Sequence, residues 1–118
     1  MDPDAQTSSA GGAALGDALD RLWTRFLPEI EQRVAMLKSS AAAAAVGSLT
    51  QAQWEAAHSA AHKLAGVLGT FGLAEGTTLA RELEDAYAHD AGIDAACGKR
   101  LAALAERLRA IVESRKKS

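Results

Sequence analysis

The chain has few of the residues that build disulfide-rich, aromatic-rich or membrane-spanning proteins. Its 118 residues include one cysteine, two prolines and only 4% aromatic residues. A single cysteine cannot form an intrachain disulfide or a cysteine-rich zinc site, so we expect Cys97 to be a small packed residue in a reducing compartment. No apolar run approaches the roughly 20 residues needed to span a bilayer, and the N-terminus lacks the pattern of a secretory signal. These absences predict a soluble, cytoplasmic protein.

An excess of charge of one sign is also missing. The formal net charge is -2, which gives no electrostatic reason to expect nucleic acid or a membrane surface as a partner. The sequence contains no glycine-rich GxxxxGK[ST] loop for nucleotide phosphates. It also lacks a Ser/His/Asp or Cys/His constellation for nucleophilic catalysis. We therefore expect no ATP-dependent enzyme.

The composition that is present favours one helical domain. Hydrophobic residues make up 48% of the chain, and with so few aromatic residues the core must consist of alanine and leucine. Such small side chains allow close helix packing and favour helices over strands. A chain of this length supports one core. Residues 1–14 are small and polar, and we predict them to be a flexible tail, or a remnant unrelated to the domain, ahead of a domain over residues 15–115.

Apolar residues then recur at spacings of three and four. Pro28 lies inside the first such region. Because proline is tolerated only in the first turn of a helix, we predict a short helix ending near Leu27 and a second helix from Pro28 that Gly47 closes. A single kinked helix is the alternative.

The following region contains the most specific local signal for a helix start. Thr50 and Gln53 form a capping-box pattern, which predicts a helix running to about Thr70 and stopping near Gly72. Two further helices are predicted over about 73–88 and from about 94, with a break at 90–92. Joined by short turns, these elements predict an all-α, antiparallel up-down four-helix bundle with a short extra N-terminal helix across one end.

The helix after Thr50 carries a histidine at the margin of its apolar face. At about 100° per residue, His62 lies roughly 110° from the middle of the apolar arc. Its neighbours on this side are Ser59, Gly66 and Gly69. Each glycine costs about 1 kcal/mol relative to alanine in a helix. The two glycines have two possible explanations. They could let a partner's backbone or a phosphoryl group come close to the helix. Alternatively, they could allow tight packing between helices, with His62 merely exposed.

His58 precedes His62 by one helical turn, and this HxxxH spacing can bind a metal ion. No acidic residue lies between the two as in HExxH, and no other pattern completes a site. His89 lies in a loop. We therefore predict no metal, and interpret His58 as a hydrogen-bonded residue at the core boundary. A metal-binding helical bundle using His58 and His62 is kept as an alternative.

Three short motifs follow one another in the second half of the chain: His62-x-Leu64-x-Gly66, Phe71-Gly72, and Leu79-x-x-x-Leu83-Glu84. Together they resemble the histidine phosphotransfer (HPt) domain family over roughly residues 26 to 114. The run from Gly69 to Gly72, which contains the second motif, is also similar to the corresponding part of the phosphotransfer domain of chemotaxis histidine kinases.

The resemblance implies that His62 is a phosphoacceptor through Nε2. An imidazole with a pKa near 6.5 is largely neutral at neutral pH and can act as the nucleophile. Aligned through Gly72, Glu84 falls where chemotaxis-type domains place a glutamate that hydrogen-bonds the other ring nitrogen and orients the ring. A solvated glutamate is the alternative for Glu84.

The sequence departs from the family at one position. Many members have a lysine three residues after the histidine, where it can attract the phosphoryl group or the partner. This chain has Ala65 there and a lysine at Lys63 instead. On the helical wheel Lys63 lies about 100° from His62, so its long side chain must curl to reach the phosphate. Solvation of Lys63 without a specific role is the alternative.

The resemblance further implies a place in a bacterial two-component phosphorelay. His62 would accept a phosphoryl group from a receiver aspartate or a histidine kinase and pass it to a response-regulator aspartate. The receiver would supply Mg²⁺, so the chain itself needs no cofactor and is expected to be a monomer. A phosphorylation-independent docking bundle for receiver domains is the alternative. We define the docking rim as the residues expected to contact the receiver: Ser59, Lys63, Gly66, Val67, Gly69 and Thr70.

Overall fold

The computed structural model describes the backbone of residues 3–88 and 94–117 and the side chains of residues 14–88 and 94–117. The described residues form four α-helices and no strand, which confirms the all-α prediction. No helix in the described ranges combines the length and the apolar character that crossing a bilayer requires. The predicted break at 90–92 and His89 lie outside the described residues. The helices are α1 (Pro3–Ala45), α2 (Gln51–Thr70), α3 (Ala74–Ala88) and α4 (Ala95–Lys117).

The N-terminal region differs from the prediction, because α1 is one helix that contains Pro28. The prediction of a separate short helix ending near Leu27 is therefore wrong. The helix α1 begins at Pro3, inside the segment predicted as a tail. An interior proline costs about 3 kcal/mol. Trp23 and Ile30, on either side of it, are both buried, and burial of such side chains stabilises by about 1.5–3 kcal/mol each. Packing on the bundle thus offsets the local cost of the proline.

Trp23 joins the N-terminal half of α1 to two other parts of the bundle. Its ring packs edge-on against Phe71, with centroids 5.2 Å apart. The guanidinium of Arg115, near the end of α4, lies 5.1 Å from the centroid of the same indole, within the range of a cation–π contact. These contacts hold the part of α1 that precedes Pro28 against the rest of the bundle.

The ends of α1 and α2 follow from glycines in the left-handed region. Gly47 and Gly72 have φ values of 71° and 72°, which only glycine adopts without steric cost. After α2, the N–H of Leu73 donates to the carbonyl of Leu68 over 3.0 Å. An equivalent bond joins Ser48 to the end of α1. Both glycines therefore stop their helices where the sequence predicts.

The start of α2 is closed by the capping box. The N–H of Gln53 donates to Oγ1 of Thr50 over 3.1 Å, and the N–H of Thr50 donates to Oε1 of Gln53 over 2.9 Å. Two donors that the first turn of a helix leaves unpaired are thus satisfied. The predicted N-terminus of α2 is confirmed.

Each helix packs against two others, in the order α1–α2–α3–α4 and back to α1. The start of α4 lies against the end of α1, where Gly98 meets the backbone of Ala44 and Ala45. Near the other end of α4, Arg115 forms an ion pair with Asp20 of α1 at 2.7 Å. Leucine and alanine dominate the core, as the composition predicts. Its largest fully buried apolar side chains are Ile30, Leu37, Leu64, Leu68, Leu83, Leu101 and Leu108.

Candidate functional site

The position of His62 follows from the face that α2 buries. Six residues spaced by three and four form this face: Ala57, Ala60, Ala61, Leu64, Ala65 and Leu68. His62 lies at its edge, and 72% of its side chain is exposed. The ring is therefore fixed at its base by the packed helix and open to solvent at its nitrogens.

His62 is hydrogen-bonded across the bundle to a carboxylate on α3. Its Nδ1 lies 2.6 Å from Oε2 of Glu84, and the Glu84 side chain is only 23% exposed. The neighbouring Leu83 is fully buried in the core, which fixes the backbone from which Glu84 extends.

The hydrogen bond selects one form of the ring. An ionised carboxylate only accepts hydrogen bonds, so the proton of the neutral imidazole lies on Nδ1, and Nε2 presents its lone pair. Among the described residues, none forms a hydrogen bond with Nε2 of His62. The arrangement therefore combines an oriented ring with a free nucleophilic nitrogen, which is suited to nucleophilic attack.

The glycine beside His62 is open to solvent. A Cβ built on Gly66 would meet no atom within 4 Å, and one on Gly69 would lie 3.8 Å from Oγ1 of Thr77, an ordinary contact. By contrast, a Cβ on Gly98 would overlap the backbone nitrogen of Ala45. Tight helix packing thus explains Gly98 but does not explain Gly66. Gly66 instead leaves bare helix backbone on the surface next to the imidazole.

The structure places the docking rim on the surface around His62. All its members are exposed except Val67, which is half-buried. Lys63, Gly66, Val67 and Thr70 line a groove with His62, whereas Ser59 lines a second groove beside it. Gly69 lies on the side of α2 that faces α3, near Thr77.

The sequence interpretation missed the contribution of α1 to this surface. Phe26, Glu29 and Arg33 line the groove that contains His62, which we call the α1–α2 groove. Phe26 is 38% exposed, high for so large an apolar side chain. Their spacing of three and four places the three residues on one face of α1. The spacing alone could not show which face of α1 lies beside α2.

The position that carries lysine in many family members is not on this surface. Ala65 is only 6% exposed and belongs to the core cluster. Lys63 is exposed and lines the α1–α2 groove together with His62. Lys63 therefore shares a groove with the imidazole but does not occupy the position of the family lysine.

His58 lies apart from the α1–α2 groove. It is half-buried and lines a different pocket with Trp54 and Tyr87. The indole N–H of Trp54 donates to the carbonyl of Tyr87 there. In the described part of the chain, no three His, Cys, Asp or Glu side chains are grouped so that they could hold a metal ion.

Comparison with known proteins identifies one family. A family model described as "Hpt domain" matches residues 21–114, more than half of the chain, including His62 and Glu84. No curated protein and no solved structure matches the chain significantly.

Proposed function

Since the chain belongs to the Hpt domain family, we propose that His62 accepts a phosphoryl group from a receiver aspartate or a histidine kinase and passes it to an aspartate of a response regulator. Hpt domains act in histidine phosphotransfer within phosphorelays. The donor, the acceptor and the direction of flow in this chain belong to the proposal.

One observation carries the assignment to His62: Nδ1 is hydrogen-bonded to Glu84 at 2.6 Å while the ring is exposed. In the transfer step, the Nε2 lone pair attacks phosphorus, the Nε2–P bond forms, and the P–O bond to the donor aspartate breaks. The aspartate leaves as a carboxylate. The Nδ1 proton stays on the ring, and the carboxylate of Glu84 stabilises the positive charge that the ring acquires. Onward transfer reverses these changes with a new aspartate.

The remaining chemistry is assigned to the partner. Hpt domains are phosphotransfer modules without kinase activity, and in this chain His62 would act as a positioned nucleophile. Mg²⁺ would be bound by the receiver. The receiver would dock on the docking rim and the α1–α2 groove, where the bare backbone at Gly66 permits close approach.

The proposal extends to the arrangement of the helices, the oligomeric state and the location of the protein. We propose an antiparallel up-down bundle, which the pairing of early α1 with late α4 residues supports, as in Asp20 with Arg115. The chain would act as a monomer in the bacterial cytoplasm.

Phosphotransfer from radiolabelled phosphorylated receivers of the same genome tests the function. We expect the wild-type chain to gain acid-labile label. His62→Gln should gain none and keep its helical circular dichroism. His58→Gln is the matched control and should behave as the wild type.

Three other outcomes would overturn this assignment. Transfer to His62→Gln at the wild-type level would place the phosphoacceptor elsewhere. Receiver binding without transfer, equal in wild type and His62→Gln, would indicate a phosphorylation-independent docking module. Tight zinc binding that is lost when either His58 or His62 is changed would indicate a metal-binding bundle.

A further inference from the structure

The surroundings of His62 leave a charge to be balanced after phosphorylation. A phosphoryl group brings nearly two negative charges at neutral pH. The carboxylate of Glu84 already lies against the ring, and Glu29 lines the α1–α2 groove. These negative charges would repel the phosphoryl group, and a nearby cation would offset the repulsion. The two cations that line the groove are Arg33 and Lys63.

Arg33 is the more restricted of the two cations. Its side chain is only 25% exposed, whereas Lys63 is exposed. Both residues line the α1–α2 groove and the second groove beside it, so both lie on the surface that carries His62. Because a partly buried side chain loses less conformational entropy when it binds a ligand, Arg33 is the better candidate.

The hydrogen-bonding capacity of Arg33 is largely unused. Its nearest described acidic partner is Glu29, at 3.8 Å between Nη2 and Oε2, which is longer than a hydrogen bond. A guanidinium has five N–H donors and suits the oxygens of a phosphate in a two-pronged contact. No described side chain accepts a hydrogen bond from Arg33. These donors are available to a ligand in the groove.

We propose that Arg33 binds the phosphoryl group on His62, donating hydrogen bonds to its non-bridging oxygens and exchanging the long contact with Glu29 for this shorter one. The inference rests on the proposed function of His62 and assigns the cation of the same site to α1. It also accounts for a buried alanine at position 65, because the positive charge comes from the neighbouring helix.

The test uses phosphoramidate, a small phosphoryl donor, so that no receiver is needed. The P–N bond of phosphoramidate breaks, ammonia leaves, and the Nε2–P bond of His62 forms. Because the site is open to water, we expect Arg33→Gln to slow phosphorylation about tenfold, less than the loss of a fully buried donor. Arg33→Lys should restore part of the rate, because lysine keeps the positive charge but cannot make the two parallel hydrogen bonds of a guanidinium. Added salt should reduce the difference in phosphorylation rate between the wild type and Arg33→Gln, because salt screens the charge of the guanidinium.

Arg25→Gln is the matched control. Arg25 is exposed on the same helix but lines a different pocket, with Ala18, Arg21 and Leu22. Phosphoramidate should phosphorylate Arg25→Gln at a rate within about twofold of the wild-type rate, as expected for a distant, screened charge. A general effect of lowering the positive charge of α1 would slow Arg25→Gln as much as Arg33→Gln and would overturn the inference.

A measurement on the wild-type chain covers the case in which Arg33→Gln fails to fold. The Nε–H resonance of Arg33 in the NMR spectrum should shift downfield when His62 is phosphorylated, whereas that of Arg25 should not move. An unchanged Arg33 resonance overturns the inference. His62→Gln separates the two proposals. If it remains inert while Arg33→Gln reacts at the wild-type rate, the inference fails and the proposed function stands. If it reacts like the wild type, the proposed function itself fails.

Discussion

Nδ1 of His62 and Oε2 of Glu84 lie 2.6 Å apart, although 22 residues separate them in the chain. The contact crosses from α2 to α3, near the surface but with Glu84 mostly covered. It fixes both the tautomer and the direction of the imidazole, and it leaves the other ring nitrogen facing solvent.

Loss of this contact should slow phosphorylation of His62. We expect Glu84→Ala to lower the rate with phosphoramidate about tenfold or more, by analogy with the loss of the group that orients a metal-binding histidine. The imidazole nitrogen chemical shifts should also show a mixture of tautomers in place of one. Glu82→Ala, an exposed change on the same helix, is the control. An unchanged rate and tautomer in Glu84→Ala would mean that the contact has no role in the chemistry.

Two glycine-to-alanine changes should have opposite effects on stability. Gly66→Ala should raise the free energy of unfolding by about 1 kcal/mol, the difference in helix propensity, because the new Cβ meets no atom. Gly98→Ala should lower it by about 1–3 kcal/mol, the usual cost of overpacking, because its Cβ would overlap the backbone of Ala45. Urea denaturation followed by circular dichroism measures both values. Destabilisation by Gly66→Ala would show that its surface is covered.

A bulky residue at position 66 should separate folding from docking. Gly66→Phe should remain folded, since the site is open, and should still react with phosphoramidate. Transfer from a phosphorylated receiver should fall about tenfold or more, because the ring would obstruct the approach of the partner. Equal transfer in Gly66→Phe and wild type would contradict a docking role for this surface.

Tyr87 should make stability depend on pH in the alkaline range. Burial, with a smaller contribution from nearby Cys97, raises the pKa of Tyr87 from 10.0 to about 12. Above pH 10 the unfolded chain loses this proton before the folded chain does. Stability is therefore retained below pH 10 and falls as the pH rises towards 12, by about 3 kcal/mol. Tyr87→Phe should remove this part of the fall.

The same variant tests the packing of the phenol. The hydroxyl of Tyr87 is buried and has no hydrogen-bond partner among the described residues. Removing an unpaired buried hydroxyl is nearly neutral or stabilising, so Tyr87→Phe should be at least as stable as the wild type at pH 7. A clear loss of stability in thermal unfolding at pH 7 would show that the hydroxyl has a partner.

Glu106 should contribute to stability in the opposite pH range. Hydrogen bonds from Arg109 and then Lys38 lower the pKa of Glu106 from 4.5 to about 2. The contribution is present above pH 4.5 and is lost as the pH falls towards 2. It is expected to be small and sensitive to salt, because the carboxylate is exposed. A carboxyl carbon titration by NMR measures the pKa directly, with Glu106→Gln for assignment, and an unshifted midpoint would contradict the ion pairs.

Some of the fold was predictable because its signals are local. Thr50 and Gln53 cap α2 through bonds within a single turn, and Gly47 and Gly72 stop helices through their own backbone conformation. The position of His62 at the edge of an apolar face also follows from helical spacing. Resemblance to the HPt family singled out Glu84, and the structure places its carboxylate on the imidazole.

By itself, the amino-acid sequence determined that the chain is helical, three of the helix ends, and an exposed histidine with a glycine one turn away, because these depend on neighbours within a few residues. Tertiary structure decided that Pro28 lies inside one helix, since the burial of Trp23 and Ile30 is a contact with distant parts of the chain. It also decided that Arg33 lies in the groove with His62. Side chains from two helices share a surface only through the rotation of one helix against the other, and spacing within either helix does not contain that rotation.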